Sequence, residues 1–147
     1  DLKNENLNSF ITEISKNIGS AVKDMEWDLQ TQIVKITSMW SIINNKDAFN
    51  EKHHHGNSAL SAAYYVKAEQ NAGDIVFFDP RQANVFHHPI SNKVNNINAQ
   101  VQSVTPKPGT LVLFPSYLEH KVNANLSNED RIVISFNVSL MRKKDLL

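Results

Sequence analysis

The chain of 147 residues contains no cysteine, which removes disulfides, zinc–thiolate sites and cysteine nucleophiles from consideration. It carries no net charge either. Fifteen acidic residues balance fifteen basic ones, so no long-range field draws it to nucleic acid or to an anionic membrane. No apolar run approaches the ~20 residues of a membrane span, no signal-peptide pattern precedes the first helical segment, and no internal repeat is visible. These absences lead us to expect a cytoplasmic protein with neither a membrane nor a nucleic-acid partner. What is present is enough for one domain with a proper core, dressed in Asn rather than in charge.

The N-terminal stretch LNSFITEISKNIGSAVKDM places Leu7, Phe10, Ile11, Ile14, Ile18 and Val22 on one helical face, with Asn8 or Ser9 available as a cap. In WDLQTQIVKITSMWSII, Ile33, Ile36 and Trp40 suit a second helix, although Ile33–Trp40 also reads as partly extended; MWSIINN then reads as a strand. From there the helical period disappears. ALSAAYYVKA, DIVFFDP, AQVQSVTP, GTLVLFPS and RIVISFNVS are short β-rich runs separated by Gly, Pro and Asn. NAGD predicts a hairpin between two of them, and TPKPG a hard turn before another. The expected fold class is therefore mainly β with N-terminal helices: a jelly roll, or double-stranded β-helix, of cupin-like form with a helical layer. We expect one domain over 1–147, with 1–39 mainly helical support, 40–140 the β core and 141–147 a solvated tail.

Three consecutive histidines, His53, His54 and His55, stand between a polar turn and an apolar run. On a strand, side chains two apart share a face, so His53 and His55 make a two-toothed metal clamp while His54 points away. The alternative is a polar loop cluster with no ligand role. His120 follows an apolar strand and a Pro-containing turn, a place where a jelly roll brings distant strand ends to one mouth. In RIVISFNVS, Arg131, Val133, Ser135 and Asn137 alternate with Ile132, Ile134, Phe136 and Val138. An arginine opening the more polar face suits bidentate capture of a carboxylate; the alternative is an edge-strand arginine in solvent. His87 and His88 lie in an Asn-rich loop and read as surface residues. The Trp27 and Trp40 rings read as packing rather than as substrate platforms.

The order His-x-His, SAAYYV, GDIVFFDPR, PGTLVLFPSYLEHKV, RIVISFNVS resembles the 2-oxoglutarate/Fe(II)-dependent oxygenases of the prolyl-hydroxylase-like group. Within that group it is most similar to a set of small oxygenases from bacteria and phages, over Trp40 to Leu140. The resemblance implies His53 as first iron ligand, His120 as distal ligand, and Arg131 as the grip on the far carboxylate of 2-oxoglutarate. Tyr65, with Tyr64 as the other choice, would assist that grip; strand alternation, not the resemblance, puts Ser135 and Asn137 on the Arg131 face, where they would hydrogen-bond the co-substrate or waters around it. The family's usual carboxylate ligand falls on His55, a departure that leaves three neutral imidazoles around the metal; small relatives of the set carry His-x-His here. Two other frames, His54-x-Gly56 and His55-x-Asn57, fit the distance to SAAYYV less well, and Asp79 or Glu119 would supply a carboxylate only by an unexpected backbone path.

What the resemblance implies is an Fe(II)- and 2-oxoglutarate-dependent dioxygenase, an oxidoreductase hydroxylating its substrate with release of succinate and CO2. It would act on a small molecule or peptide, and in the host cytoplasm if a phage encodes it. Its rival is a non-enzymatic or differently metallated cupin-like domain holding another small acid. The stretch Arg81–Gln100, unusually long between two strands, is the expected substrate rim. Substrate identity is not written in the sequence, and strand edges and apolar helix faces leave an oligomer open.

Overall fold

The computed structural model describes residues 4–81, 89–95 and 97–146. Helix α1 spans Glu5–Asp24 and buries Ile14, Ile18 and Val22, one residue per turn along one stripe. Its cap is Asn4, not Asn8 or Ser9 as expected. The Asn4 side chain accepts from the backbone N–H groups of Asn6 and Leu7 at 3.0 and 3.3 Å, satisfying donors the helix itself cannot.

The second helix does not form, so the helical support expected over residues 1–39 ends with α1. Strand β1 occupies Gln32–Asn44 instead. After α1, Glu26 adopts φ +52°, and Asp28 accepts from the backbone of Gln30 and Thr31 in a turn that restarts the chain as a strand. Ile33, Val34, Ile36, Thr37, Ile42 and Ile43 are β-branched and suit the pleated surface better than a helix.

The remaining strands are β2 (Asn50–His53), β3 (Leu60–Lys67), β4 (Ile75–Phe78), β5 (Val101–Val104), β6 (Leu111–Pro115), β7 (His120–Val122) and β8 (Arg131–Arg142). They form two four-stranded sheets in the orders β1-β8-β3-β6 and β2-β7-β4-β5, which is a jelly roll. NAGD is not a hairpin: β3 pairs with β6 and β8, whereas β4 pairs with β5 and β7, so the turn carries the chain from one sheet to the other. The turn chemistry itself is as read, with Asn71 and Gly73 at positive φ.

The chain divides into two compact units, one comprising Asp1–Val34 with Met141–Leu147 and the other Lys35–Leu140. In the first, Lys143 donates through Nζ to the carbonyls of Leu29 and Gln30, and a 3-10 turn follows at Lys143–Leu146, so the expected solvated tail is partly tied down. In the second, the sheets meet through Ile75 and Phe77 of β4 against Phe114 of β6, with the two phenyl rings 4.9 Å apart. Beside this contact the sheets part around a cavity.

Candidate active site

In the β2–β7 pair, His53 sits directly opposite His120. Strand β2 ends at His53, and the chain then turns so that the His55 N–H donates to the Ser116 carbonyl at 2.9 Å. His53 and His55 therefore share a side because of a turn, not because of the strand alternation that the sequence suggested. One ring nitrogen from each of His53, His55 and His120 falls within 4.8 Å of the others. The ring centroids of His53 and His120 are 4.3 Å apart, and His55 is 5.2 Å from each. His54 stays exposed and outside the group.

Each ring is anchored through Nδ1. His53 Nδ1 lies 2.7 Å from the Glu51 carbonyl and His120 Nδ1 lies 2.9 Å from the Leu118 carbonyl. His55 Nδ1 lies 2.7 Å from Ser61 Oγ and 3.0 Å from Asn137 Oδ1. A carbonyl can only accept, so Nδ1 carries the proton and Nε2 keeps its lone pair, which is the form a metal binds. Burial pushes His120 down to about 4 and lowers His55 too, keeping both neutral at pH 7. His120 is 3% exposed. This donor set, with no carboxylate among the described residues of the cluster, fits a divalent first-row metal ion. The two candidate carboxylates are engaged elsewhere: Asp79 holds Arg81 at 2.7 Å and Glu119 holds Lys52 at 2.5 Å.

From the histidines a cavity of about 210 Å3 runs between the sheets to Arg131. Arg131 is 1% exposed. Its Nη1 donates to the carbonyls of Ala72, Gly73 (3.4 Å) and Asn123 (3.1 Å), while Nε and Nη2 are buried without a partner among the described residues. One side of the guanidinium is thus tied down and the other presents a free fork. Desolvation lowers its pKa, but a guanidinium stays protonated at neutral pH. Among the described residues, no aspartate or glutamate lines the cavity. Such a buried, unpaired cation is costly unless an anion completes it, and the fork matches a carboxylate.

The other expected residues divide. Tyr65 lines the cavity, is almost wholly buried, and is pushed up to about 12 by desolvation, so its hydroxyl is a proton donor at any ordinary pH. Tyr64, one position earlier, falls outside the lining. Ser135 lines the cavity, and Arg131, Val133 and Ser135 form the more buried face of β8, whereas Ile132 and Ile134 are only half-buried. Asn137 is committed to His55 and to Ser61, whose hydroxyl donates to Oδ1 at 2.8 Å. Trp40 does more than pack: its ring lines the cavity 6.1 Å from His55. The expected rim, Arg81–Gln100, lies in part outside the described residues; the strand before it, β4, ends at Phe78, one position past Phe77, which pairs with His120. His87 and His88 lie outside the described residues.

Sequence reasoning missed three contributions. Asn44 is 7% exposed, its side chain has no hydrogen-bond partner among the described residues, and with Trp40 and Ile42 it lines the cavity at alternate positions of β1. Asn125 fixes it there by donating to the Asn44 carbonyl at 3.0 Å and to the Glu129 carbonyl at 2.7 Å. Gly73 makes room for Arg131: a Cβ there would collide with the Asn123 carbonyl and come within 2.8 Å of Nη1. The NAGD turn was the only signal for that glycine.

The profile of the family described as "Putative 2OG-Fe(II) oxygenase" matches residues 38–137. No curated protein matches the chain. Among solved structures, one similar fold is a Pseudomonas putida prolyl-4-hydroxylase, with TM-score 0.61, 15% identity, and coverage of 92% of this chain and 67% of that one. Another is an oxidoreductase of the 2OG-Fe(II) oxygenase family from Burkholderia pseudomallei, with TM-score 0.58 and 15% identity over 74% of this chain. The chain spans 46% of the length of that protein. HygX from Streptomyces hygroscopicus, solved with nickel and 2-oxoglutarate bound, is similar at TM-score 0.51 and 14% identity, over 74% of this chain and 58% of that one. At these identities the likeness is one of fold.

Proposed function

Because the chain belongs to the 2OG-Fe(II) oxygenase family, we propose that it is a 2-oxoglutarate-dependent dioxygenase whose Fe(II) is held by His53, His55 and His120. The observation that carries this reading is the buried Arg131 fork, without a partner among the described residues, lining the same cavity as three imidazole rings and no described acid. That pairing of unlike binding groups in one cavity suits a keto acid with a second carboxylate. Iron and 2-oxoglutarate bound there would supply the oxygen chemistry: dioxygen oxidises the keto acid to succinate and CO2, and one oxygen atom enters a C–H bond of the substrate.

The protein's part is to bind, orient and exclude water. Nε and Nη2 of Arg131 grip the distal carboxylate side-on, and Tyr65 donates its phenolic hydrogen to the same group. Ser135 and the Asn44 amide add neutral donors, so the dianion meets positive charge and hydrogen bonds with no competing acid. The apolar lining of Ile42, Ala62, Ile75, Phe114, Val122 and Val133 keeps the site dry and strengthens those contacts. A cavity this small is filled largely by the co-substrate. The substrate, a small molecule or a peptide, then approaches at the Trp40 and His53 end, where the lining becomes exposed.

The test is an anaerobic titration of metal-free protein with Fe(II) and then 2-oxoglutarate, watching for the visible charge-transfer band of the chelated keto acid. A band that weakens in Arg131→Ala is the expected result, followed by uncoupled succinate formation on admitting air. Bound iron without a band would refute the reading and leave the second one, a differently metallated small-acid-binding domain, which the wholly neutral donor set favours.

A further inference from the structure

His55 differs from the other two histidines in how it is held. His53 and His120 lean on carbonyls of their own local backbone, two residues away. The His55 ring instead reaches a buried side-chain cluster drawn from three parts of the chain: Ser61 of β3, Ser116 just after β6, and Asn137 of β8. Ser61 is the junction, 2.7 Å from His55 Nδ1, 2.8 Å from Ser116 Oγ and 2.8 Å from Asn137 Oδ1. Ser61 and Ser116 are wholly buried, so no bulk water competes.

The proton assignments follow from what each atom can do. Asn137 Oδ1 only accepts, so both neighbours give to it: Ser61 through its hydroxyl and His55 through Nδ1–H. Ser61 has then spent its one proton and can only accept, taking the Ser116 hydroxyl hydrogen and sharing that of His55. The hydroxyl and ring protons of the cluster are thereby placed, and only one tautomer of His55 is compatible with them. That tautomer leaves the Nε2 lone pair bare, in a ring whose centroid is 5.2 Å from each of the other two.

We propose that Asn137, acting with Ser61, is a positioning residue that fixes the tautomer and orientation of His55 and so completes the three-histidine donor set. The inference rests on the metal-binding half of the reading above and on none of its oxygen chemistry. It also assigns Asn137 a place outside the carboxylate pocket, although it lies on the same strand as Arg131. The partner is an amide, so it orients the ring without adding charge to it. A carboxylate at this position would pull on Nδ1–H and make Nε2 a stronger donor.

The experiment measures Co(II) affinity by competition with a chromogenic chelator in wild type, Asn137→Leu, Asn137→Asp and Ser61→Ala. As an internal control, succinate binding to each metal-free protein is measured by calorimetry. Expected are a ten- to hundredfold weaker Co(II) affinity in Asn137→Leu, a smaller loss in Ser61→Ala and tighter binding in Asn137→Asp, with succinate binding unchanged throughout. Wild-type Co(II) affinity in Asn137→Leu would overturn the proposal. So would a parallel loss of succinate binding, which would make Asn137 a general support of the fold. Should Asn137→Leu not fold, Asn137→Asp decides: no tightening there overturns the assignment. Failure of the oxygenase reading looks different, since Co(II) affinity would still follow Asn137 while no charge-transfer band formed with Fe(II).

Discussion

Gly73 and Gly109 offer a matched pair for testing how Arg131 is held. Both have positive φ, +87° and +83°, so alanine at either pays a similar backbone penalty of about 1–2 kcal/mol. They differ in surroundings. A Cβ on Gly109 would meet nothing within 4 Å, whereas on Gly73 it would collide with the Asn123 carbonyl, lie 2.6 Å from the Ala124 carbonyl and lie 2.8 Å from Arg131 Nη1. None of these is the far end of a flexible side chain free to swing aside. Relieving that crowding moves backbone, an overpacking cost of about 1–3 kcal/mol beyond the φ term. Gly73→Ala is therefore expected to lose about 2–5 kcal/mol in urea unfolding and Gly109→Ala about 1–2 kcal/mol. The displaced atoms include the Asn123 carbonyl that fixes Nη1, so the fork shifts as well. Succinate affinity should fall at least tenfold in Gly73→Ala and stay at wild type in Gly109→Ala. Equal destabilisation of the two variants, or unchanged succinate binding in Gly73→Ala, would refute the claim that this glycine shapes the arginine's seat.

Three further outcomes follow from the same geometry. Arg131→Lys keeps the charge but loses the fork, so 2-oxoglutarate should bind roughly ten- to a hundredfold more weakly by calorimetry, the worth of one charge-assisted hydrogen bond. Asn44→Val removes an unpartnered amide from the cavity wall; unfolding stability should hold or rise while succinate affinity drops severalfold. The metal-free protein should lose stability as pH falls from 6.5 towards 4. His120 is held down to about 4 when folded against 6.5 when unfolded, so in that window the unfolded chain binds the extra proton. The slope contributed by this one group is at most about 1.4 kcal/mol per pH unit, and chemical unfolding at several pH values should show it shrink in His120→Asn.

Much of the β framework was legible because β-branched and aromatic runs bounded by Gly, Pro and Asn say strand whatever their partners. The positions of His53, His55, His120 and Arg131 were legible for a related reason: chemistry concentrated at strand ends stands out against an apolar background. Partnership was not legible. The turn at Asn71–Gly73 has hairpin chemistry, but whether the next strand folds back or crosses to the facing sheet depends on which edges are already paired, and that is information spread over the whole chain. The stretch Gln32–Asn44 was ambiguous because Ile33, Ile36 and Trp40 fit a helical period while most of their neighbours favour a strand. Asn44, Ser61 and Ser116 looked like ordinary polar residues. They acquire meaning only through contacts 55 to 81 positions distant in sequence, Ser61 with Ser116 and Asn44 with Asn125.

The two sheets hold unlike halves of the site, and His55 joins them. His53 and His120 sit on β2 and β7 of one sheet; Tyr65, Arg131 and Ser135 sit on β3 and β8 of the other. A cavity between sheets is only as well set as their relative position, and few side chains span it with directed bonds. The His55 ring spans it: Nδ1 is tied to Ser61 and Asn137 of the second sheet, and the ring lies 5.2 Å from each of the pair carried by the first. An aspartate at this position has the charge usual in the family but a shorter side chain. It could not reach Ser61 and Asn137 while keeping an oxygen among the other two rings unless the backbone after β2 moved inward. That backbone is fixed by the His55 N–H bond to the carbonyl of Ser116, the same serine whose hydroxyl completes the cluster. The histidine at 55 and the serine–asparagine cluster thus form one unit, in which the longer ring is what lets a ligand on one sheet be oriented by the other.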